Sequence, residues 1–139
     1  MLGSQNLRTG GKMATYAEVR DMLSKSKEMN FAYVNETLCK VEFKISPDRT
    51  QVVYIIDNGE NITFNSVVCE LSQVNLDALF ASTLLNKMIH GVGPIGKLLA
   101  VKHVALLKTL QVEETADAIS ALAVFGDTLE KAIVGGDFN

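Results

Sequence analysis

Three consecutive strand-like runs, of which the first and third alternate apolar and polar residues, constrain the fold of this chain more than any other feature. They cover residues 39–45, 51–57 and 62–68, and the residues between them, Pro-Asp-Arg and Asn-Gly, are strong turn signals. A period of two is typical of strands that bury one face. We therefore predict an antiparallel meander of at least three strands, preceded by a short fourth strand at Phe31 to Val34.

The middle run stands apart because it has no polar position between residues 52 and 56, which read Val-Val-Tyr-Ile-Ile. Apolar side chains then lie on both faces of the strand. This pattern is typical of a strand inside a sheet that is covered on each side. We therefore predict that the strand is central and that both of its faces are buried.

The residues on either side of the meander follow a helical period. Thr15 and Glu18 have the spacing of a capping box, which predicts a helix from about Tyr16 to Glu28. Apolar residues three and four positions apart predict a second helix over about residues 76–88.

The C-terminal third contains one ambiguous segment and one clear helix. Residues 90–96 contain three glycines and one proline, which predicts a helix stop and a chain reversal. Residues 98–110 alternate at first and then take a helical period, so we predict an extended start and a helical end. From Glu113 an Ala-rich run predicts a long helix that ends at Gly135-Gly136. Its apolar stripe comprises Ile119, Leu122, Gly126, Leu129 and Ile133.

These predictions combine into an α+β fold: one helix, an antiparallel meander of three to four strands, then two or three helices packed on the sheet. With 139 residues and 47% hydrophobic content, the chain fits one domain, which we place at residues 13–139. Residues 1–12 are polar and precede a second methionine, so we interpret them as an added leader or a disordered tail. No targeting segment is visible, and no run approaches the ~18 apolar residues of a membrane span, so we expect a cytoplasmic protein.

The charge pattern argues against nucleic acid as the main partner. The formal net charge is −3 at pH 7. One stretch carries four lysines and no acid, but the lysines are widely spaced and have no aromatic residues among them. We interpret them as a solvated face and keep a nucleic-acid-binding regulator as an alternative. The four residues are Lys87, Lys97, Lys102 and Lys108.

One stretch, Gly91-Val92-Gly93-Pro94-Ile95-Gly96-Lys97, matches a phosphate-binding pattern. Its context does not fit, because it follows a predicted helix, Pro94 removes an N–H donor, and Leu98 occupies the position of the metal-binding hydroxyl. We favour a helix stop here. Binding of a small ligand or phosphate remains the alternative function, with Gly91, Gly93, Gly96 and Lys97 as its candidate residues.

No combination of residues predicts catalysis, a metal or a cofactor. Cys39 and Cys69 lie in strand patterns, which favours two reduced core cysteines. His90 and His103 have no Cys, Asp or Glu at metal-ligand spacing, so a structural or surface role is the simpler interpretation. We therefore predict a non-enzymatic protein that needs no cofactor.

The order of the predicted elements resembles the type III secretion chaperone fold and its relatives, the YbjN-like proteins. The likeness covers Thr15 to about Gly135. Two segments are similar to the C-terminal half of these families. They are Lys97-Leu98-Leu99-Ala100-Val101 running into Leu106-Leu107, and the helix that ends Phe125-Gly126-Asp127-Thr128-Leu129-Glu130-Lys131.

This resemblance implies a cytoplasmic, non-enzymatic protein, often a homodimer, which acts as a chaperone-like or regulatory adaptor. Its sheet and helix grooves would hold a partner polypeptide in an extended form. It brings no catalytic residues with it. Two sets of apolar residues are then the candidates for contact with a partner or a second copy: Val52, Tyr54 and Ile56 on the central strand, or Leu122, Leu129 and Ile133 on the last helix.

Overall fold

An antiparallel sheet of six strands forms the centre of the fold. The structure, a computed structural model, describes residues 13–88 and 90–136. The strands are β1 (Met29–Asn35), β2 (Leu38–Ser46), β3 (Arg49–Asp57), β4 (Asn61–Glu70), β5 (Gly91–Ile95) and β6 (Leu98–Leu106), in the sheet order β1-β2-β3-β4-β6-β5. The helices are α1 (Tyr16–Ser24), α2 (Leu76–Ala81) and α3 (Thr115–Val134). The predicted α+β class is confirmed, with six strands in place of three or four.

The meander of β1 to β4 is confirmed, and its turns follow from the sequence. Gly59, in the turn between β3 and β4, has a φ of +95°, which a residue without a Cβ adopts without strain. Its N–H donates to the Asp57 carboxylate at 2.9 Å. The first strand is longer than the predicted Phe31 to Val34 and pairs with β2 from Met29 onward.

Both of the first two helices are shorter than predicted. The Thr15–Glu18 capping box that begins α1 is present, but α1 ends at Ser24 because the chain turns there and enters β1 at Met29. The predicted helix over residues 76–88 divides into α2 and a single 3-10 turn at residues 85–87. It breaks at Ser82, whose ψ of 155° is extended.

The segment after α2 differs most from the prediction. The predicted chain reversal at residues 90–96 is instead the edge strand β5, followed by a turn in which Gly96 has a φ of +60°. The predicted helical end of residues 98–110 is wrong, because β6 remains extended to Leu106 and pairs with β4 along its whole length. The alternation is the stronger signal, since β6 pairs with β4 along its whole length and with β5 over residues 98–102.

The sheet has two unlike faces. On β3, Gln51, Val53 and Ile55 are at most 2% exposed and face the helices, on what we call the covered face. The intervening residues Val52, Tyr54 and Ile56 are half-buried and lie on the opposite side, which we call the open face. Buried residues of all three helices share one core with the covered face, and this core contains no open-face residue. The predicted cover on both sides of β3 is therefore wrong for the described part of the chain.

A polar network anchors α3 to the covered face. Gly126 lies so close to β4 that a Cβ at this position would overlap Ser66 Oγ. Ser66 Oγ donates to Gln51 Oε1 at 3.1 Å, and Gln51 Nε2 donates to Glu130 Oε1 at 2.6 Å. Arg49 Nε donates to Asp127 Oδ1 at 2.6 Å, and the Asp127 side chain is only 5% exposed.

The ion pair sets the protonation of Asp127. Burial raises the pKa of this carboxyl, but hydrogen bonds and charges from Arg49 and Lys131 outweigh that effect and hold the pKa below its usual value. Asp127 is therefore ionised at neutral pH, which keeps the contact between α3 and β3 charge-assisted.

No helix within residues 13–88 and 90–136 is long and apolar enough to cross a membrane. The predicted tail at residues 1–12 lies outside the described residues, and the single-domain boundary at residue 13 stays a prediction.

Candidate partner-binding site

An open cleft of about 730 Å³ lies beside the N-terminal half of α1. Its walls come from the residues that lead into α1, from β1, and from the two turns at that end of the sheet. These elements meet because α1 packs along β1. The residues that line the cleft include Met13, Tyr16, Arg20, Tyr33, Glu36 and Asp57.

Arg20 is held in the cleft by two aromatic rings. Its guanidinium carbon lies 5.7 Å from the centroid of Tyr16 and 5.7 Å from the centroid of Tyr33. Such contacts stabilise a cation above an aromatic face and leave its N–H groups available to an acceptor. Glu36 and Asp57 supply carboxylates nearby, so the cleft offers both donors and acceptors.

Two large apolar side chains at the cleft are exposed to solvent. Tyr33 is 56% exposed and Met13 is 49% exposed. Tyr16, by contrast, is buried and donates a hydrogen bond from its hydroxyl to the Ile55 carbonyl at 3.2 Å. The wall of the cleft is thus fixed by Tyr16, while Tyr33 and Met13 are free to contact another molecule.

Neither Cys39 nor Cys69 has the properties of a nucleophilic cysteine. Burial raises the pKa of the Tyr16 hydroxyl, and its contact with Cys39 raises it further. Burial also raises the pKa of the Cys39 thiol. Cys69 is half-buried, and burial also raises the pKa of its thiol. Both cysteines are therefore protonated at neutral pH and poor nucleophiles.

The two edges of the sheet differ in what they offer a partner. The β5 edge contains Pro94 and two glycines, which limit its use as a template for another strand. The β1 edge reads Met-Asn-Phe-Ala-Tyr-Val-Asn and contains neither proline nor lysine. Among the described residues only β2 pairs with β1, so the outer backbone groups of β1 are open to strand addition, directly beside the cleft.

The six predicted contact residues fall into two groups. Val52, Tyr54 and Ile56 lie together on the open face, half-buried. The α3 stripe faces the sheet instead: Leu122 and Leu129 are 0% exposed and Ile133 is 6% exposed. Packing within the chain buries that stripe, which leaves the β3 residues as candidate contacts.

The glycine-rich stretch does not form a phosphate-cradling loop. Gly91 and Gly93 belong to β5 and pair with Lys102 and Ala100 of β6. Gly96 and Lys97 line a separate recess of about 290 Å³ with Glu70, Leu71 and Ser72. A carboxylate in that recess opposes an anion. Gly96 adopts the positive φ of the turn, and Gly93 leaves room for the stem of Lys102, so two of the glycines have a structural role that needs no nucleotide.

The two histidines come together beneath α3. The ring of His90 lies 5.5 Å from the ring of His103 and 5.3 Å from that of Phe125, both edge to face. Burial, followed by the charge of His103, lowers the pKa of His90. Its Nδ1 is buried and has no hydrogen-bond partner among the described residues. No group of three metal-ligating side chains exists among the described residues.

The four lysines of the acid-free stretch are dispersed over the molecule. Lys102 lies on the open face, and Lys97 in the turn between β5 and β6. Lys87 and Lys108 are exposed in two other turns. They do not line a common groove, which removes the geometric basis for the nucleic-acid alternative.

Sequence reasoning missed the cleft. Arg20 reads as a charge on the wet face of a helix, and Tyr33 as the end of a short strand. The period of two does place Phe31 and Tyr33 on the same side of β1, toward α1. The signal that an exposed tyrosine and a helical arginine meet there lies in the packing of α1 on β1, which the sequence pattern does not encode.

No family model matches the sequence, and no curated protein matches it either. The fold, in contrast, is similar to a chain in a solved structure of the HopA1-SchA chaperone-effector complex. The TM-score is 0.60 at 17% identity, and the match covers 84% of this chain and 94% of that chain. The predicted chaperone-like fold is thus confirmed as a fold, and the YbjN-like resemblance stays a prediction.

Proposed function

We propose that this chain is a non-enzymatic, chaperone-like protein that holds an extended segment of a partner polypeptide. The segment adds to the free edge of β1 and places side chains in the adjacent cleft. The observation that carries the proposal is this juxtaposition: an edge strand that pairs only with β2 among the described residues lies beside an open cleft, where Tyr33 is exposed and two rings hold Arg20. Similarity to a chain of a chaperone-effector complex supports it.

The physical division of labour is that of strand addition. Backbone hydrogen bonds along β1 provide affinity without regard to the partner's sequence. The cleft provides selectivity, because Tyr33 and Met13 favour an apolar side chain while Arg20 favours an acceptor beside it. Since the edge of β1 needs an extended backbone, a partner segment is held unfolded, which is the role of a chaperone for export or assembly.

We further propose, as the resemblance implies, a cytoplasmic homodimer. Light scattering on the purified chain tests the oligomeric state. A dimer supports this part of the proposal. A monomer at all concentrations contradicts it but does not contradict the proposed partner site in the cleft.

The experiment that tests the function compares two exposed aromatic residues. Tyr33 is 56% exposed in the cleft and Phe80 is 60% exposed on α2, so their replacement by alanine perturbs stability similarly little. Affinity purification of the full chain from its native lysate, quantified by mass spectrometry, measures the retained partner. We expect Tyr33→Ala to lower retention about tenfold or more, as for a contact at the centre of an interface, and Phe80→Ala to leave it unchanged.

Two results would overturn the proposal. One is that the wild-type chain retains no specific protein in stoichiometric amount. The other is that Phe80→Ala abolishes retention while Tyr33→Ala does not, which would move the site to α2.

A further inference from the structure

One row of residues that crosses the strands on the open face of the sheet is largely apolar. Leu38, Ile56, Thr63 and Val104 are direct cross-strand neighbours on β2, β3, β4 and β6. Val104 is 58% exposed, and Leu106 beyond it is 55% exposed. Natural surfaces rarely leave neighbouring β-branched and leucine side chains in water unless another molecule covers them.

The sequence of β3 also indicates that the open face is covered by another part of the chain or another molecule. Its central residues are apolar on both faces, a pattern found where both faces of a sheet are covered. Within residues 13–88 and 90–136 the helices cover one face only. The open face therefore has the composition of a covered surface, but the described residues do not cover it.

Cations border the apolar row. In the next row along the strands, Lys40, Tyr54, Asn65 and Lys102 are direct neighbours on the same four strands. Both charged members of the two rows are lysines. The carboxylates on this face lie farther away, Glu42 one row beyond and Glu70 at the far end of β4.

One of these cations is fixed in place. Lys102 Nζ donates to Asn65 Oδ1 at 2.8 Å, and Asn65 is 0% exposed. The stem of Lys102 lies over Gly93, where a Cβ would meet its Cδ at 3.2 Å. An ordered ammonium group at the border of an apolar surface is a ready partner for a carboxylate.

The spacing of the lysines favours a helix as the occupant. Lys40 on β2 and Lys102 on β6 are three strand spacings apart, about 14 Å. A helix is about 10–12 Å in diameter, so one helix lying along β3 and β4 has a lysine on each flank. A sheet face offers no free backbone groups, so a helix, which satisfies its own backbone, suits it better than an extended segment.

A second copy of the chain fits this face poorly. A two-fold contact between two open faces would bring Lys40 and Lys102 of each copy toward the same residues of the other. Like charges bordering an apolar contact disfavour association. An acidic occupant has the opposite effect.

We propose that the open face docks an amphipathic helix of a partner polypeptide, with an apolar stripe on Ile56 and Val104 and carboxylates on both flanks that reach Lys40 and Lys102. The inference rests on the proposed function only in that the chain binds polypeptides. Its site is separate from the cleft at Tyr33, so a partner can use an extended segment at β1 and a helix here.

The test uses two synthetic helical peptides of about 20 residues, a length at which isolated helices are stable enough to bind. Both carry the same leucine stripe; one has glutamate on both flanks and the other has lysine at the same positions. We expect the acidic peptide to bind the full chain at least tenfold more tightly, with an affinity that falls as salt is added. Amide NMR shifts should change at Tyr54 and Val104 and not at Tyr33.

A charge-reversal variant distinguishes this proposal from nonspecific hydrophobic binding. Lys40→Glu should weaken binding of the acidic peptide and strengthen binding of the basic one. Lys108→Glu makes the same change of charge in a turn outside the two rows and should alter neither affinity. Lys102 is left intact because its replacement would remove the donor to the buried Asn65 Oδ1.

Equal affinity for the two peptides, or no effect of Lys40→Glu, would overturn the proposal. A wild-type dimer that Val104→Asp converts to a folded monomer would also overturn it, because a second copy would then cover the face. Since the peptides report on the open face alone, these results are independent of the Tyr33→Ala test of the cleft.

Discussion

The two faces of β3 carry similar apolar side chains, but the side chains on the covered face are buried and those on the open face are only partly buried. On the covered face Val53 and Ile55 are 0% exposed and contribute to the core beneath α3, whereas on the open face Val52 and Ile56 are half-buried. Their side chains are equally apolar. The difference teaches that an apolar pattern predicts burial without identifying the cover, which is intramolecular on one side and, by our proposal, a partner on the other.

The largest expected difference between the faces comes from two adjacent isoleucines. Ile55→Ala should lower the free energy of unfolding by about 2–5 kcal/mol, since it removes a fully packed side chain and leaves a cavity. Ile56→Ala should cost less than about 1.5 kcal/mol, because that side chain is already partly in water. Urea denaturation of both variants measures the difference. Equal losses would mean that the open face is covered within the chain itself.

Two glycines provide a second matched pair. Gly126→Ala places a Cβ against Ser66 on the covered face, and we expect overpacking to cost about 1–3 kcal/mol despite the better helix propensity of alanine. Gly93→Ala on the open face meets only the stem of Lys102, which can shift slightly while its ammonium group stays on Asn65, and should change stability by less than about 0.5 kcal/mol. Thermal unfolding compares them, and a stabilised Gly126→Ala would show that α3 does not lie this close to β4.

The buried ion pair should make the stability of the covered face depend on pH at the acid end. Because the folded pKa of Asp127 is depressed, its contribution is present above the unfolded value of about 4 and is lost as the pH falls through the folded pKa. Asp127→Asn should cost about 1–3 kcal/mol at pH 7. The gap between the variant and the wild type should close below about pH 4. A gap that is constant from pH 7 to pH 2.5 would exclude the ion pair as its cause.

The smallest effect is expected at His90, which also lies beneath α3. Its folded pKa is lowered by burial and by His103, so the unfolded chain takes up the proton first. Stability present above the unfolded value of about 6.5 is then lost as the pH falls toward the folded pKa. His90→Phe retains the ring contact with Phe125 and should flatten the slope of the urea midpoint between pH 7.5 and 5.5. An unchanged slope would show that another group titrates there.

Local signals predicted the first half of the chain well. The alternation in β2, β3 and β4, the Asn58-Gly59 turn and the Thr15 cap all act within a few residues, and each is present in the structure. The candidate residues on β3 were identified in the same way, and their contact role stays a prediction.

Tertiary contacts account for what the sequence did not predict. Residues 98–106 form a full strand because β4 pairs with all of them and β5 pairs with residues 98–102. β5 tolerates Pro94 because it lies at an edge. The apolar stripe of α3 fits a core helix and a contact helix equally well, so its pattern alone does not predict that it faces the sheet. The Arg49–Asp127 pair joins residues 78 positions apart, which no local pattern predicts.

Hydrogen–deuterium exchange tests the central claim most directly. It would be measured on the full chain alone and on the complex obtained with the partner that the native chain retains. Our account predicts that amides of β1 and of residues 13–20 become protected in the complex while those of β5 do not. Unchanged exchange in β1, with protection confined to α2 or β5, would contradict a partner site at the β1 edge.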